Sequence, residues 1–307
     1  VAAVVRRGER APRVAFAGAA HSHAFSDARN LRALGAEIIG LWDVDDPSRA
    51  ADFCAEFEVS AVADRDRLFT EADLIVSTVR TPRAAELALV VAESRTPAFF
   101  NKTVASTPAA YAEWTAAGSA PRFTSSVLRF APKLVALAEQ IAGGQLRTLD
   151  VRVQHSIAAL LEPRSWQDEL TGAGGTLVNF GVHAWEMVDV LLPGGRAEIL
   201  DGSAAREGLP TASEAHGTVR ARIGTVEVNV SVSGVDGTDV YAVRAVTDRG
   251  VRVVELAPGA AELGYHGAAD AMLELARGGT PAVSAARTAA VYANVFAAAQ
   301  TARRSLC

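Results

Sequence analysis

The strongest constraint on this chain is an alternation of short apolar runs with helical patterns between Arg13 and Val127. RVAFA (13–17) has strand length and ends at Gly18. A helical pattern from Ala24 to Leu34 and a second apolar run, AEIIGLWDVD (36–45), follow it. SRAADFCAEF (48–57) is helical, ADLIVSTV (72–79) strand-like, and PRAAELALVVAES (82–94) a helix opened by Pro82 in its first turn. TPAFF (96–100) is a further strand, Thr107 and Pro108 start a helix through Trp114, and RFTSSV (122–127) returns to a strand. Short apolar strands separated by helices predict a parallel sheet with helices on both faces. Ligands of such sheets sit beyond the carboxyl ends of the strands. Gly18, Asp43, Thr81, Pro82 and Lys102 all fall at those ends.

The texture changes after Val127. LRFAPKLVALAEQIAGG (128–144) reads as one more helix, and strands then dominate, from DVRVQHSI (150–157) through VYAVRAVTDRGVRVVEL (240–256). Val226, Val228, Val230 and Val232 alternate with Glu227, Asn229, Ser231 and Ser233, the pattern of an open, mostly antiparallel sheet with one face on a core. Segments 268–277 and 284–303 are helical. The 307 residues exceed one ordinary core. The expectation is an α/β chain with a doubly wound domain over 1–127 and an α+β domain over 128–307.

Within the second domain, GGTLVNFGVHAWEMVDVLL (174–192) stands apart. From Leu177 to Leu192, 11 of 16 residues are apolar, which predicts a buried helix. Asn179, His183 and Glu186 lie at i, i+4 and i+7, on one face. Burying such groups without partners costs about 1–3 kcal/mol each, so they are paired or line a cleft. Gly181 among them, about 1 kcal/mol worse than alanine in a helix, suggests something packed close to the backbone.

Half of the residues are hydrophobic and 21% charged, a globular balance. Lys and Arg are scattered at a net charge of −5, leaving no nucleic-acid footprint. No apolar run approaches the roughly 20 residues that span a bilayer. The opening VAAVVRRGERAPR lacks an apolar stretch after its arginine pair and is expected to be a lead-in, not a signal peptide. Cys54 and Cys307 offer neither a disulfide framework nor a metal spacing, and His21 and His23 have no third ligand nearby in sequence. A reduced, cytoplasmic, soluble protein without a metal is expected.

Strand, glycine turn, helix, strand, then Asp43 placed 25 residues after Gly18 is the layout of a dinucleotide-binding unit. Its glycine fingerprint reads Gly18, Ala20, His23. Alanine still allows a fairly close backbone approach, whereas His23 must turn outward or touch the ligand. Along nearly its whole length the chain resembles the glucose–fructose oxidoreductase/inositol dehydrogenase (Gfo/Idh/MocA) family. The resemblance rests on Gly18–His23, Asp43, Thr81-Pro82, Lys102, Arg129-Phe130-Ala131-Pro132, and Gly174-Gly175 leading to His183. It implies a Rossmann domain binding NAD(H) or NADP(H), a second domain with the substrate pocket, and a homodimer or homotetramer. This sequence departs from the family's Glu-Lys-Pro with Asn101-Lys102-Thr103, so the proline-dependent turn is expected to be lost. It has Asn179 where the family commonly has an aspartate, and Arg83 and Glu86 where Asn and His are usual.

On that resemblance the expected activity is hydride transfer between nicotinamide and a secondary alcohol or ketone of a sugar, cyclitol or related polyol. His183 would take or return the hydroxyl proton, Lys102 would hydrogen-bond the same oxygen, and Asn179 would orient the ring or bind a substrate hydroxyl. With Asn179 in place of an acid, the His183 pKa should be lower. Gly18, Ala20, His21, His23, Asp43, Thr81, Pro82 and Lys102 are the candidate cofactor residues. Asp43 argues for NAD over NADP, because a carboxylate repels a 2′-phosphate; Arg49, the best foothold for NADP, is expected on an exposed helix face. Arg129, His155 and Trp166 are substrate-pocket candidates that serve equally well as packing or surface ion-pair residues. Two rivals stay open: a non-catalytic NAD-binding sensor, and an NAD-dependent glycosidase.

Overall fold

The structure is a computed structural model that describes residues 10–159, 164–259 and 261–306. Residues 1–9 of the expected lead-in, much of the loop before Trp166 and Cys307 lie outside those residues. β1 (Arg13–Ala17), β2 (Glu37–Trp42), β3 (Leu74–Ser77), β4 (Ala98–Asn101) and β5 (Arg122–Ser125) form a parallel sheet in the order β2-β1-β3-β4-β5. The order reverses between β1 and β3, and that is where a doubly wound sheet opens its ligand crevice. Beyond β2 a single parallel bridge, Leu41 to Ala61, is all that extends the sheet among the described residues.

Helices α1 (His23–Ala33), α2 (Pro47–Phe57), α3 (Arg65–Thr70), α4 (Ala84–Ser94) and α5 (Pro108–Ala116) connect these strands. The caps read from the sequence operate. Thr107 Oγ1 accepts from Ala110 N, and Pro108 occupies the first turn of α5. The core on one side of the sheet is aromatic: Phe16 and Phe57 both pack on Phe53, with ring centroids 4.9 and 4.6 Å from it. The short α3 did not stand out in the sequence, because six residues carry too little periodicity.

The second half contains α6 (Pro132–Ile141), β6 (Leu146–Ser156), α7 (Gly175–Asn179), α8 (Gly181–Leu191), β7 (Glu198–Ala205), β8 (His216–Ile223), β9 (Val226–Val235), β10 (Val240–Thr247), β11 (Gly250–Leu256), α9 (Tyr265–Ala276) and α10 (Ala285–Arg303). The six strands order as β11-β10-β6-β9-β8-β7. Only β6–β9 is parallel; every other neighbouring pair is antiparallel. As the alternation predicted, Val226 to Val232 are buried at every second position. The opposite face carries the ion pairs Arg244–Asp150 and Arg220–Asp201. α8 packs against β6, β9, α6 and α10, while α9 returns to the first half and packs on α1, β3 and β4.

Two expectations about segments are corrected. The run 128–144 is not one helix: a 3-10 turn over Val127–Phe130 precedes α6, because Pro132 favours an extended Ala131. The buried run 174–192 breaks at Phe180 into α7 and α8. Gly181 sits at the break, and a Cβ there would meet only Val295, at 4.0 Å, an ordinary contact. The glycine weakens the helix at that point and is not demanded by crowding.

Gly18 is demanded. Its φ is +85°, and a Cβ would lie 2.8 Å from the backbone of Val79, just past β3. Gly18→Ala should destabilise the protein by about 1–3 kcal/mol in urea denaturation, where an unchanged midpoint would contradict this close approach.

Candidate active site

The turns after β1 and β3 meet at the point where the strand order reverses. Gly18 N donates to Trp42 O, Thr78 N donates to Ala17 O, and Thr78 Oγ1 donates to Gly18 O. Asp43, at the end of β2, accepts backbone N–H bonds from Ala19, Asp45 and Asp46. The expected ribose carboxylate therefore also fastens the glycine turn. Arg49, expected on an exposed face, instead donates from Nε to Ala19 O at 2.8 Å and lies over the Phe25 ring. α1 has no side-chain cap at Ser22; the Ser22 hydroxyl accepts from Arg164 Nη1 at 2.9 Å. Ala20 is buried against Trp166 and Ala173, so an indole occupies the close approach that alanine permits.

A narrow cleft, with a cavity volume of about 10 Å³, runs from this turn into the second half, lined by His21, Thr78, Val79, Thr81, Asn101, Lys102, Thr103, Trp166, Gln167 and Asn179. No carboxylate lines it among the described residues. Pro82, expected in the first turn of a helix, instead lies exposed in a 3-10 turn over Thr81–Arg83 just before α4, outside the lining. The turn after β4 survives the loss of proline: the Lys102–Thr103 peptide is cis.

Lys102 is 4% exposed, and its hydrogen-bond acceptors are Asn179 Oδ1 at 3.3 Å and Asn179 O at 3.4 Å, both neutral. Burial lowers its pKa to about 7; the Glu186 charge pulls upward and Arg164 pushes further down. Asn179 thus pairs with Lys102, and no hydrogen bond joins it to the His183 ring. His183 Nδ1 is hydrogen-bonded to Ser126 Oγ, while its buried Nε2 has no partner. Burial first, then Lys102, His155 and His23, hold the imidazole pKa well below its ordinary value.

His23, His155, Arg129 and His183 lie outside the lining of the cleft, whereas His21 lines it. His23 neither turns outward nor enters the lining. It stacks on Tyr265 of α9, 5.5 Å between centroids, and its pKa is pushed down to about 3 by burial and then by Lys102. His21 accepts from His23 N and faces the cleft, and burial lowers its pKa well below normal. His155 stacks on Phe180 at 4.4 Å, with Nδ1 3.7 Å from Asp239. Arg129 is buried away from the lining in an ion network. Its Nε reaches Glu186 at 3.1 Å and its Nη1 reaches Asp189, which also binds Arg287. Glu186 further accepts from Ser125 Oγ and Ser126 N. Its carboxylate thus points to the end of β5, although it follows Asn179 and His183 along the chain.

Sequence patterns did not single out Ser126, Arg164, Gln167 or Asp27. Asp27, on the inner face of α1, accepts only from Asn101 Nδ2 at 3.3 Å, and its other oxygen has no partner. Among the described residues no cluster of three His, Cys, Asp or Glu forms a metal site, and no helix is long and apolar enough to cross a membrane.

No family model and no curated protein matches the chain. Solved structures match along nearly all of it. GenD2 from gentamicin A biosynthesis, in complex with NAD, is 15% identical at a TM-score of 0.78, covering 98% of this chain and 97% of its own. The WlbA dehydrogenase from Bordetella pertussis, with NADH and UDP-GlcNAcA, is 15% identical at 0.79, with 96% and 97% covered. Myo-inositol 2-dehydrogenase from Lactobacillus plantarum is 12% identical at 0.77, again with 96% and 97% covered. The chain therefore shares its fold with these three proteins.

Burial raises the Asp27 pKa from 3.8 to about 8. An acid held more tightly protonated in the folded state makes stability fall as pH rises between those values. Asp27→Asn should therefore match wild type near pH 4 and exceed it by roughly 1–3 kcal/mol near pH 8. Thermal melts across that range check this, and a constant difference would refute the assignment.

Proposed function

We propose that this protein is an NAD(H)-dependent oxidoreductase acting on a secondary alcohol or ketone of a sugar, cyclitol or related polyol. The observation that carries the proposal is the buried Lys102, without an ionic partner or a lining carboxylate among the described residues, in a cleft at the strand-order reversal; His183, outside that lining, is buried with an unpaired Nε2 and its pKa is lowered by burial and then by Lys102. The NAD and NADH named with GenD2 and WlbA, on the same fold, support a nicotinamide cofactor.

The residues present suit such a cofactor. The Gly18 turn brings backbone amides together, Asp43 offers a carboxylate to the ribose hydroxyls, and α1 presents an N-terminus without a side-chain cap. Gly18, Asp43, His21 and Thr81 would hold the dinucleotide, and NAD is favoured over NADP by Asp43. When bound, the nicotinamide supplies or removes the hydride. Lys102 and His183 bind the reacting oxygen, favour its alkoxide character and manage its proton. Asn179 holds Lys102 in place, and Trp166 and Gln167 close the cleft against water. Trp166 lying over Ala20 favours a second possibility, a binding protein without turnover.

Thermal shifts with NADH and NADPH test both. At a hundredfold excess over Kd, a ligand adds about 2.7 kcal/mol of stability. NADH should raise the melting temperature more than NADPH, and Asp43→Asn should shrink that increment. No shift with either nucleotide would sink the oxidoreductase. Binding without turnover across a polyol and sugar panel would select the second possibility. Where turnover is seen, Lys102→Met should lower kcat by about 10²–10⁴.

A further inference from the structure

The hydroxyl of Ser126 is hydrogen-bonded to Nδ1 of His183. Ser126 lies where β5 gives way to the 3-10 turn and is 1% exposed. Its Oγ accepts from Leu128 N at 3.1 Å, and its backbone N donates to Glu186 at 2.9 Å. The remaining neighbour of Oγ among the described residues is His183 Nδ1. Were Nδ1 to hold the hydrogen, the buried hydroxyl hydrogen would have no acceptor, an uncompensated desolvation. The arrangement that satisfies the Ser126 hydroxyl has it donating to Nδ1, with the hydrogen on Nε2. Nε2 is the ring nitrogen left without a partner.

We propose that Ser126 is a positioning residue that locks His183 as the Nε2–H tautomer, a hydrogen-bond donor to the substrate oxygen, and that the proton itself travels through Lys102 Nζ. The inference rests on the proposed oxidoreductase function and reverses the division of labour expected from sequence. Charging the imidazole would strand the Ser126 hydrogen and place a second cation among Lys102, His155 and His23. Tyr241, 6.0 Å from the ring, is uncharged. The Glu186 carboxylate is turned to Ser125, Ser126 and Arg129. Lys102 has the opposite surroundings, with two neutral acceptors on Asn179 and no ion pair among the described residues to hold its charge. In oxidation, the O–H bond would break with its proton going to the Nζ lone pair, and a bound nicotinamide would supply the acceptor for the C–H hydride and its electron pair. Reduction runs the same transfers backwards, and His183 keeps its Nε2 hydrogen throughout.

Long-range ¹H–¹⁵N spectra of isotopically labelled protein, without nucleotide, read the tautomer directly. A protonated Nε2 and a bare, hydrogen-bonded Nδ1 on His183 are expected, and a protonated Nδ1 in wild type would overturn the proposal whether or not Ser126 variants fold. Ser126→Ala should move the ring toward a tautomer mixture. In turnover, His183→Gln, which retains an N–H donor, should keep at least tenfold more kcat than His183→Phe. Lys102→Met should be partly rescued by added primary amines, and Ser126→Ala should lower kcat more than it changes KM. Loss of a pH limb in His183→Gln, with the limb intact in Lys102→Met, would return the proton to histidine. Failure of NADH to bind would defeat the function and leave the spectroscopic result standing on its own.

Discussion

The site depends on one buried carboxylate. Glu186 accepts from the hydroxyl of Ser125, the backbone of Ser126 and the guanidinium of Arg129. It thereby ties α8 to the end of β5, across the seam between the two halves of the molecule. Burial raises its pKa, and Arg129 and these hydrogen bonds oppose the rise. Removing one partner of such a buried pair costs far more than the pair contributes, because the other charge is left without compensation. The network through Asp189 and Arg287 extends the tie to α10. It sets the distance between Ser126 and His183.

Behind that anchor, the cleft is arranged by what it lacks. A neutral amide at 179 leaves Lys102 as a buried cation whose charge Asn179 solvates but does not neutralise. The imidazoles of His21, His23 and His183 remain neutral beside it, first because burial disfavours their charge and then because Lys102 and neighbouring imidazoles would repel it. The outcome is an amine poised near neutrality among hydrogen-bonding groups with fixed roles, which suits a group that must both give and take a proton.

Much of this was legible along the chain. The alternation from Arg13 to Val127 named the sheet, and strand ends named Gly18, Asp43 and Lys102, because a local pattern decides which residues finish a strand. Asn179 and His183 were visible as polar residues in an apolar run. What stayed hidden depends on partners distant in sequence. Arg129 looked free for substrate until Glu186 and Asp189, about 60 residues on, were seen to consume it. Ser126 looked like any strand serine until α8 folded against it. Arg49 looked exposed because its helix is amphipathic, yet a carbonyl of the glycine turn lies within its reach. The break at Phe180 turned on a small balance, a weak glycine against the stacking of Phe180 on His155, which periodicity does not weigh.

The parallel pairing of β6 with β9 has a consequence for how the chain assembles. Thr148 meets Glu227, and Gln154 meets Val240, so both neighbours of β6 are made some 80 residues after it. During synthesis at roughly 5–20 residues per second, β6 waits about 4–16 seconds with both edges open. The β7–β8–β9 meander and the β10–β11 hairpin are local and close without it. The second sheet is therefore built by two prefabricated pieces that must clamp an earlier strand between them. That long-range step is the slow one, and it is the point at which a growing chain exposes a sticky edge to its neighbours.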